Sequence, residues 1–513
     1  MYFRPGLNFG ILIARQKIYY LALVFLVLNV FFTGCSDSGP VGAIRFALSS
    51  GPSNLDPRFA TDASSERINQ LLYSRLVEFD EKLLPKPSLA EWQLIDKRTY
   101  RFHLIADRPV FSNGEKVTAR DVVASYRYVL DAANLSPHRE AVSMISDIKI
   151  IDDETLDFIL TAPDPLFPAY LHIAVLPEKL IESQHDFNTA PLGSGPFELV
   201  EKVSEQKLVL RRRADGQLIE ILQVKDPTVR VLKLLNQEVD LLQNDLSPEM
   251  AHYLGQQPGI HSTAREGSNF TYIGFNLADP LTGNLEIRKA ISHAIDRDAI
   301  IHFAFNRTVV TAEAILPPQH WAGHPALQKI PYDPQRAKRI LAGQGYDEVN
   351  RLKLVYKTST DPFRIRLATI IQSQLAEVGI DTEIKSYDWG TFFGDIKAGN
   401  FQMYSLSWVG INTPDIFKYV FHSKSLPPNG ANRGRYHSRQ VDQLLEQVLT
   451  MDTYQQQAEI YRKIQTILHK DLPYIPLWYE HQQAFLNQHL TGYVLSADGN
   501  YESLNSIRYS QTH

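Results

Sequence analysis

From residue 43 onward, short runs of alternating apolar and polar residues are interleaved with longer stretches whose apolar positions recur every three to four residues. Ala43–Ser49 (AIRFALS) has the strand pattern, and Ser64–Phe79 puts Ile68, Leu71, Leu72 and Leu76 on one helical face. Thr99–Ile105 alternates with Tyr100, Phe102 and Leu104 on one side, which predicts a strand. Thr118, followed three residues later by Asp121, marks a helix start that continues through Val122–Leu130. Thr155–Leu160, Lys207–Arg211 and Glu220–Val224 read as strands, and Pro227 opens a helix over Val229–Leu242. Phe270–Leu277 alternates as a strand, and Glu286–Phe305 reads as one long helix with Ile287, Ile291, Ala294 and Ile295 inward. There follow a strand at Leu352–Tyr356, a helix at Phe363–Val378, strands at Asp381–Lys385 and near Phe401–Trp408, and continuous helix over Val441–Leu468. The pattern is α/β without internal repeats. It is interrupted at Pro163–Pro168, Ala190–Pro196, Ala278–Gly283 and Leu472–Pro476.

The first 34 residues stand outside this pattern. Arg4, Arg15 and Lys17 precede the apolar run Ile18–Phe32, which is short for a membrane-spanning helix of ~20 residues and suits the core of an export signal. Phe32-Thr33-Gly34-Cys35-Ser36 follows directly. Small residues before a lone cysteine resemble a bacterial lipoprotein processing site, with lipid on Cys35, although Phe32 stands where Leu is usual. A plain signal peptide or a short anchor is the other reading. Cys35 is the single cysteine, so no intramolecular disulfide and no cysteine zinc cluster exists. Of the 513 residues, 44% are hydrophobic and 21% charged, which excludes a disordered chain and a polytopic membrane protein. The net charge of −5 gives no basic footprint for nucleic acid.

Several segments, in order, carry a family resemblance. They are Asn54-Leu55-Asp56-Pro57, Leu84–Trp92, Thr99–Phe102, Phe111-Ser112-Asn113-Gly114, Thr118–Val122, Gly193–Phe197, Ile287–Ile291 with Ala294–Arg297, and Tyr332-Asp333-Pro334. From about residue 43 to 505 the chain resembles the extracytoplasmic solute-binding proteins of peptide-type ABC importers, family 5. The resemblance implies a bilobed α/β trap of the periplasmic-binding-protein type, with an extra small domain inserted in the first lobe. It also implies a division into signal peptide 1–34, lipidated tether 35–42, lobe I 43–82, inserted domain 83–184, lobe I again 185–269, lobe II 270–475 and a lobe I C-terminal part 476–513. Crossings near Phe270 and Tyr474 are the hinge candidates. The implied partners are a peptide or peptide-like solute and membrane permease subunits. The protein is expected to be a monomer in the cell envelope, facing the periplasm or outer surface, with no catalytic role, cofactor or nucleic acid.

The expected binding face is Ser386–Tyr436. By resemblance, Trp389, Trp408, Val409 and Gly410 lie beside the ligand, with Phe275 and Asn276 as further candidates. In peptide-binding members an aspartate that pairs with the ligand's amine follows the Trp-x-Gly stretch. Here Ile411 occupies that position, followed by Asn412, and an isoleucine cannot compensate an ammonium. Asp415, four residues on, is the candidate substitute. Asn432, Arg433 and Arg435 form a second group, since Arg offers a fork of donors for a carboxylate. That group keeps open a non-peptide acidic solute, opine-like or a sugar acid, and nickel or haem is a lesser alternative. His320 and His324 have a pairwise spacing but sit in a Pro- and Gly-containing loop. Arg211-Arg212-Arg213 reads as a solvated turn. Gly193-Ser194-Gly195 lacks the third glycine of a dinucleotide loop and the pattern of a nucleophile elbow, and there is no Walker loop or zincin motif.

Overall fold

A computed structural model describes residues 42–80, 82–204, 206–411, 413–428, 430–451 and 453–510. The segment read as an export signal, Cys35 and Asn412 lie outside the described residues. The fold is a mixed α/β bilobed one built on a single large sheet. Its strands run in the order Ile380–Tyr387, Leu352–Ser359, Met403–Trp408, Ile260–Phe275, Tyr474–Asn487, Leu241–Gln243, Ile44–Leu48, Leu218–Gln223, Lys207–Arg212 and Phe197–Ser204, with Val309–Thr311 paired beside Tyr474–Asn487.

The two long strands at the middle join the lobes. Ile260–Phe275 and Tyr474–Asn487 pair antiparallel along nearly their whole length, with register shifts between Glu266 and Asn269 and between Thr271 and Tyr272. One end of the pair, through Ala484 and Leu486, enters the lobe I core with Ile44, Phe46, Leu71 and Ile221. The other end, through Ile475, Leu477 and Trp478, enters a lobe II core with Ile287, Ile291, Leu354 and Leu375. A second lobe II core gathers Phe417, Phe421, Leu445 and Tyr461 against Phe270 and Tyr272. A separate four-stranded antiparallel sheet, in the order Ala90–Asp96, Thr99–Leu104, Thr155–Leu160 and Ile145–Ile150, packs with the helix Ala119–Leu130 around Phe102, Tyr126 and Phe158.

The structure departs from the sequence pattern mainly at the ends of elements. The helix read over Ser64–Phe79 ends at Leu72, and Val77–Phe79 instead pairs as a strand with Pro85–Pro87. Gly193 and Gly195 press against that helix end; a Cβ on Gly195 would lie 2.4 Å from the Leu71 carbonyl oxygen. The helix from Pro227 stops at Leu235, and Leu241–Gln243 joins the main sheet. Glu286–Phe305 is two helices, Leu285–Ala294 and Arg297–Phe303, because Ile295 is extended and Asp296 caps the second. Val441–Leu468 is likewise two, Arg439–Val448 and Tyr454–Asp471, the latter started by a Thr453 capping box. Tyr474–Asn487, read only as an interruption near Leu472–Pro476, is a central strand. Arg212 is not solvated: it is 4% exposed, and its guanidinium donates to the Leu504 and Ile507 carbonyls and to Asp215, fastening the C-terminal segment.

Candidate functional site

Opposite walls of one cavity are supplied by segments far apart in sequence. The cavity has a volume of about 1010 Å³, at the upper end of the ~300–1,000 Å³ usual for small-molecule sites. Lobe I contributes Glu66, Gln70 and Arg75, the segment after the small sheet contributes Asp164, Tyr170 and His172, and the joining strand contributes Arg265. Lobe II contributes Val409, Gly410, Asp415, Lys418 and Tyr419. Carboxylates outnumber Lys and Arg on the wall, with Glu78, Asp80, Asp498 and Glu502 adding to those named.

The ionisable groups are tuned by this setting. Burial pushes the Asp164 carboxyl up to about 6, against a backbone N–H from Leu166 at 2.9 Å. Lys418 acts on Asp164 in the ionising direction and Asp415 in the opposing one, so the two aspartates sense each other across the cavity. Desolvation also raises Asp415, opposed by a hydrogen bond from the Thr413 hydroxyl. Burial holds the His172 imidazole neutral, down to about 4, with the Arg75 charge adding to the effect. Arg75 is 8% exposed; one terminal nitrogen reaches Glu66 at 3.4 Å, and its Nε is buried without a partner.

The predicted site residues fall in different surroundings. Val409, Gly410 and Asp415 are on the cavity wall, Val409 being 61% exposed. Trp408 ends its strand one residue before this wall, with the Tyr419 ring edge-on at 6.2 Å. Arg433 packs over the Trp408 face at 4.8 Å and over Phe393 at 5.0 Å. The remaining residues serve the lobe itself. Phe275 is fully buried in the lobe II core, and Ile411, 5% exposed, fills the neighbouring core with Phe417 and Tyr436. Its methyl groups therefore face inward, not toward a ligand. Asn276 donates to the Gly399 carbonyl at 3.1 Å and accepts from Ala278 N. Asn432 is buried and ties its loop to His422 O and Tyr436 O. Arg435 clamps Ala398 O at 2.8 Å. It lies so close over Gly399, at φ +84°, that a Cβ there would meet its Nη1 at 2.0 Å. Trp389 is 59% exposed and stacks on Phe393, away from the cavity wall.

Among the described residues no group of three His, Cys, Asp or Glu side chains is placed to hold a metal ion. His320 accepts from Ala322 N, and His324 meets the Thr466 hydroxyl. Sequence reading named no residue of the wall opposite Val409, Gly410 and Asp415; Asp164 lay only inside the Pro163–Pro168 interruption.

Comparison with known proteins agrees with this architecture. The model for bacterial extracellular solute-binding proteins, family 5 (middle), matches residues 84–426. The dipeptide-binding protein of Escherichia coli (strain K12) is 26% identical over 512 residues, spanning 91% of this chain and 92% of its own. Heme-binding protein A of Haemophilus influenzae is 27% identical, spanning 92% and 91%. The ABC transporter-associated periplasmic binding protein DppA from Helicobacter pylori, solved in complex with the peptide STSA, is 25% identical with a TM-score of 0.73, covering 91% of this chain and 98% of that one.

Proposed function

The chain belongs to family 5 of the bacterial extracellular solute-binding proteins, and we propose that it captures short peptides in the cavity between its lobes and delivers them to an ABC importer. The observation that carries this reading is the pairing of Asp164 and Asp415 on opposite walls of one cavity. A ligand ammonium between them relieves the repulsion of two desolvated carboxylates, so its binding energy is realised only when the walls are together. Asp415 thereby takes the amine-pairing role that Ile411 cannot fill. The joining strands absorb the rotation of closure at their register shifts. The dipeptide-binding and STSA-bound relatives support the peptide class.

The remaining parts of the reading rest on the leader. Cleavage before Cys35 and lipidation of its thiol would tether the protein, as a monomer, to the envelope with the cavity facing the periplasm or outer surface, within reach of the permease. The acidic-solute alternative loses its motive, since Arg433 and Arg435 are not on the cavity wall. Heme-binding protein A keeps a haem-type cargo as the second reading.

Isothermal titration with free-amine and N-acetylated peptides tests the assignment. Asp415→Asn should weaken free-amine peptides by about ten- to hundredfold, the scale of a hydrogen bond to a charged group, and leave acetylated ones unchanged. Equal binding of both peptide forms by the unmodified protein would sink it.

A further inference from the structure

Two side-chain bridges join the lobes outside the cavity. Glu249 of the helix Pro248–Gly255 meets Arg366 of the helix Pro362–Glu377 at 2.7 Å, and the Asn306 amide donates to His252 Nδ1. The first helix belongs to lobe I, where Ala251 and Leu254 pack with Ala47, Leu234 and Phe485. The second belongs to lobe II through Leu367, Ile371 and Leu375, and Asn306 directly follows Phe305 of that same core. Asn306 and Arg307 both take left-handed backbone, at φ +47° and +62°. Residues other than glycine bear that cost only where their surroundings hold them. Among the described residues, the four bridging side chains stand apart from the cavity lining.

The cavity and the bridges lie on opposite faces of the joining strands. Arg265 lines the cavity and, with its cross-strand neighbour Gln482, faces the C-terminal segment through the Leu495 and Ala497 carbonyls. Ser262, three residues earlier, and its neighbour Phe485 point to the other face, where Gly255 and Leu254 of the bridging helix pack. In lobe II, Leu445, Val448 and Tyr461 of one core line the cavity, while Pro362–Glu377 packs in the other core. We propose that the two bridges are a brake on closure, a contact behind the joint that favours parted cavity walls and sets the affinity for solute without touching it. The inference rests on the capture of peptides between the lobes, read above. A rotation about the strands that draws the walls together drives the two helices behind them apart. Solute then closes the cleft only by replacing these contacts with its own, so its apparent affinity is lowered by the fraction of protein that is ready to close. Arg366 and Glu249 are 46% and 59% exposed. A pair so exposed adds little to folding, yet it biases two states of similar energy.

The test uses the mature protein, trialanine as the solute, isothermal titration, and small-angle X-ray scattering of the solute-free protein. Glu249→Gln and Arg366→Gln should each tighten trialanine binding by about two- to fivefold, the scale of one exposed polar contact, and lower the solute-free radius of gyration. Asn306→Gly, which suits the left-handed backbone and removes the amide, should act in the same direction. Glu249→Lys, which sets two cations face to face, should tighten binding further. Glu249→Lys combined with Arg366→Glu restores an ion pair at the original net charge and should return the affinity toward that of the unmodified protein. A pair that served folding alone would move the melting temperature and leave this affinity pattern flat. Unchanged affinity in all these variants, or weaker binding in Glu249→Lys that the swapped pair repairs, would overturn the brake while leaving peptide capture intact. If the folded unmodified protein takes neither trialanine nor a mixture of di- to tetrapeptides, the peptide reading fails and scattering decides alone: compaction in Glu249→Lys sustains the brake, and an unchanged radius removes it.

Discussion

Asp164 and Asp415 approach the cavity from opposite walls, and neither ionises as an isolated surface aspartate does. The Asp164 carboxyl is held near 6 by burial, against an ordinary value of 3.8. The unfolded chain therefore releases this proton first, and the Asp164 contribution to stability falls as pH rises from about 4 to about 6 and stays low above. His172 acts in the opposite sense. Its imidazole ionises near 4 against an ordinary 6.5, so stability is lost as pH falls through that window. Asp164→Asn separates the two: melting temperature should rise at pH 7.5 and change much less at pH 4.5. An equal shift at both pH values would contradict the desolvated carboxyl. At this scale the sequence reading named three residues that line the cavity. Val409, Gly410 and Asp415 follow a tryptophan in one local segment, where spacing is informative. Glu66, Arg75 and His172 are brought to the cavity by long-range packing, and no local pattern announces them. Ile411 and Phe275 were legible as apolar residues near the site, but which face they take is decided by the core behind them.

At the scale of elements, local chemistry was a good guide to where segments begin and a poorer one to where they end. Thr118 and Asp121 form the predicted capping box: one Asp121 oxygen accepts from Thr118 N at 2.8 Å and from its hydroxyl at 2.7 Å. The other Asp121 oxygen accepts from Glu178 N at 2.8 Å and binds a second helix start. Asp121→Ala should cost about 2 kcal/mol, combining a lost cap with an unmatched N–H. Urea unfolding should show a lower midpoint with an unchanged slope; an unchanged midpoint would mean the box is ornamental. The breaks inside Glu286–Phe305 and Val441–Leu468 were missed because apolar periodicity continues across them. The stop signals are subtler: an extended Ile295 before an Asp296 cap, and a second cap at Thr453.

The whole molecule is organised by Ile260–Phe275 and Tyr474–Asn487, which carry one sheet through both lobes. Of this pair only Phe270–Leu277 was readable as a strand. Tyr474–Asn487 mixes a proline, charges and apolar residues, because its two ends serve different cores and its middle bears Glu480, which accepts from Thr271 at 3.0 Å and faces Arg364 at 3.5 Å. In the proposed function, this strand pair is the joint about which the two walls of the cavity close on the solute and part again. The most direct test of that account is gentle purification of the mature protein, native mass spectrometry of the complex, and identification of what denaturation releases. The account predicts a ladder of short free-amine peptides that disappears in Asp415→Asn. A single non-peptide mass, such as a tetrapyrrole or an organic acid, would contradict it.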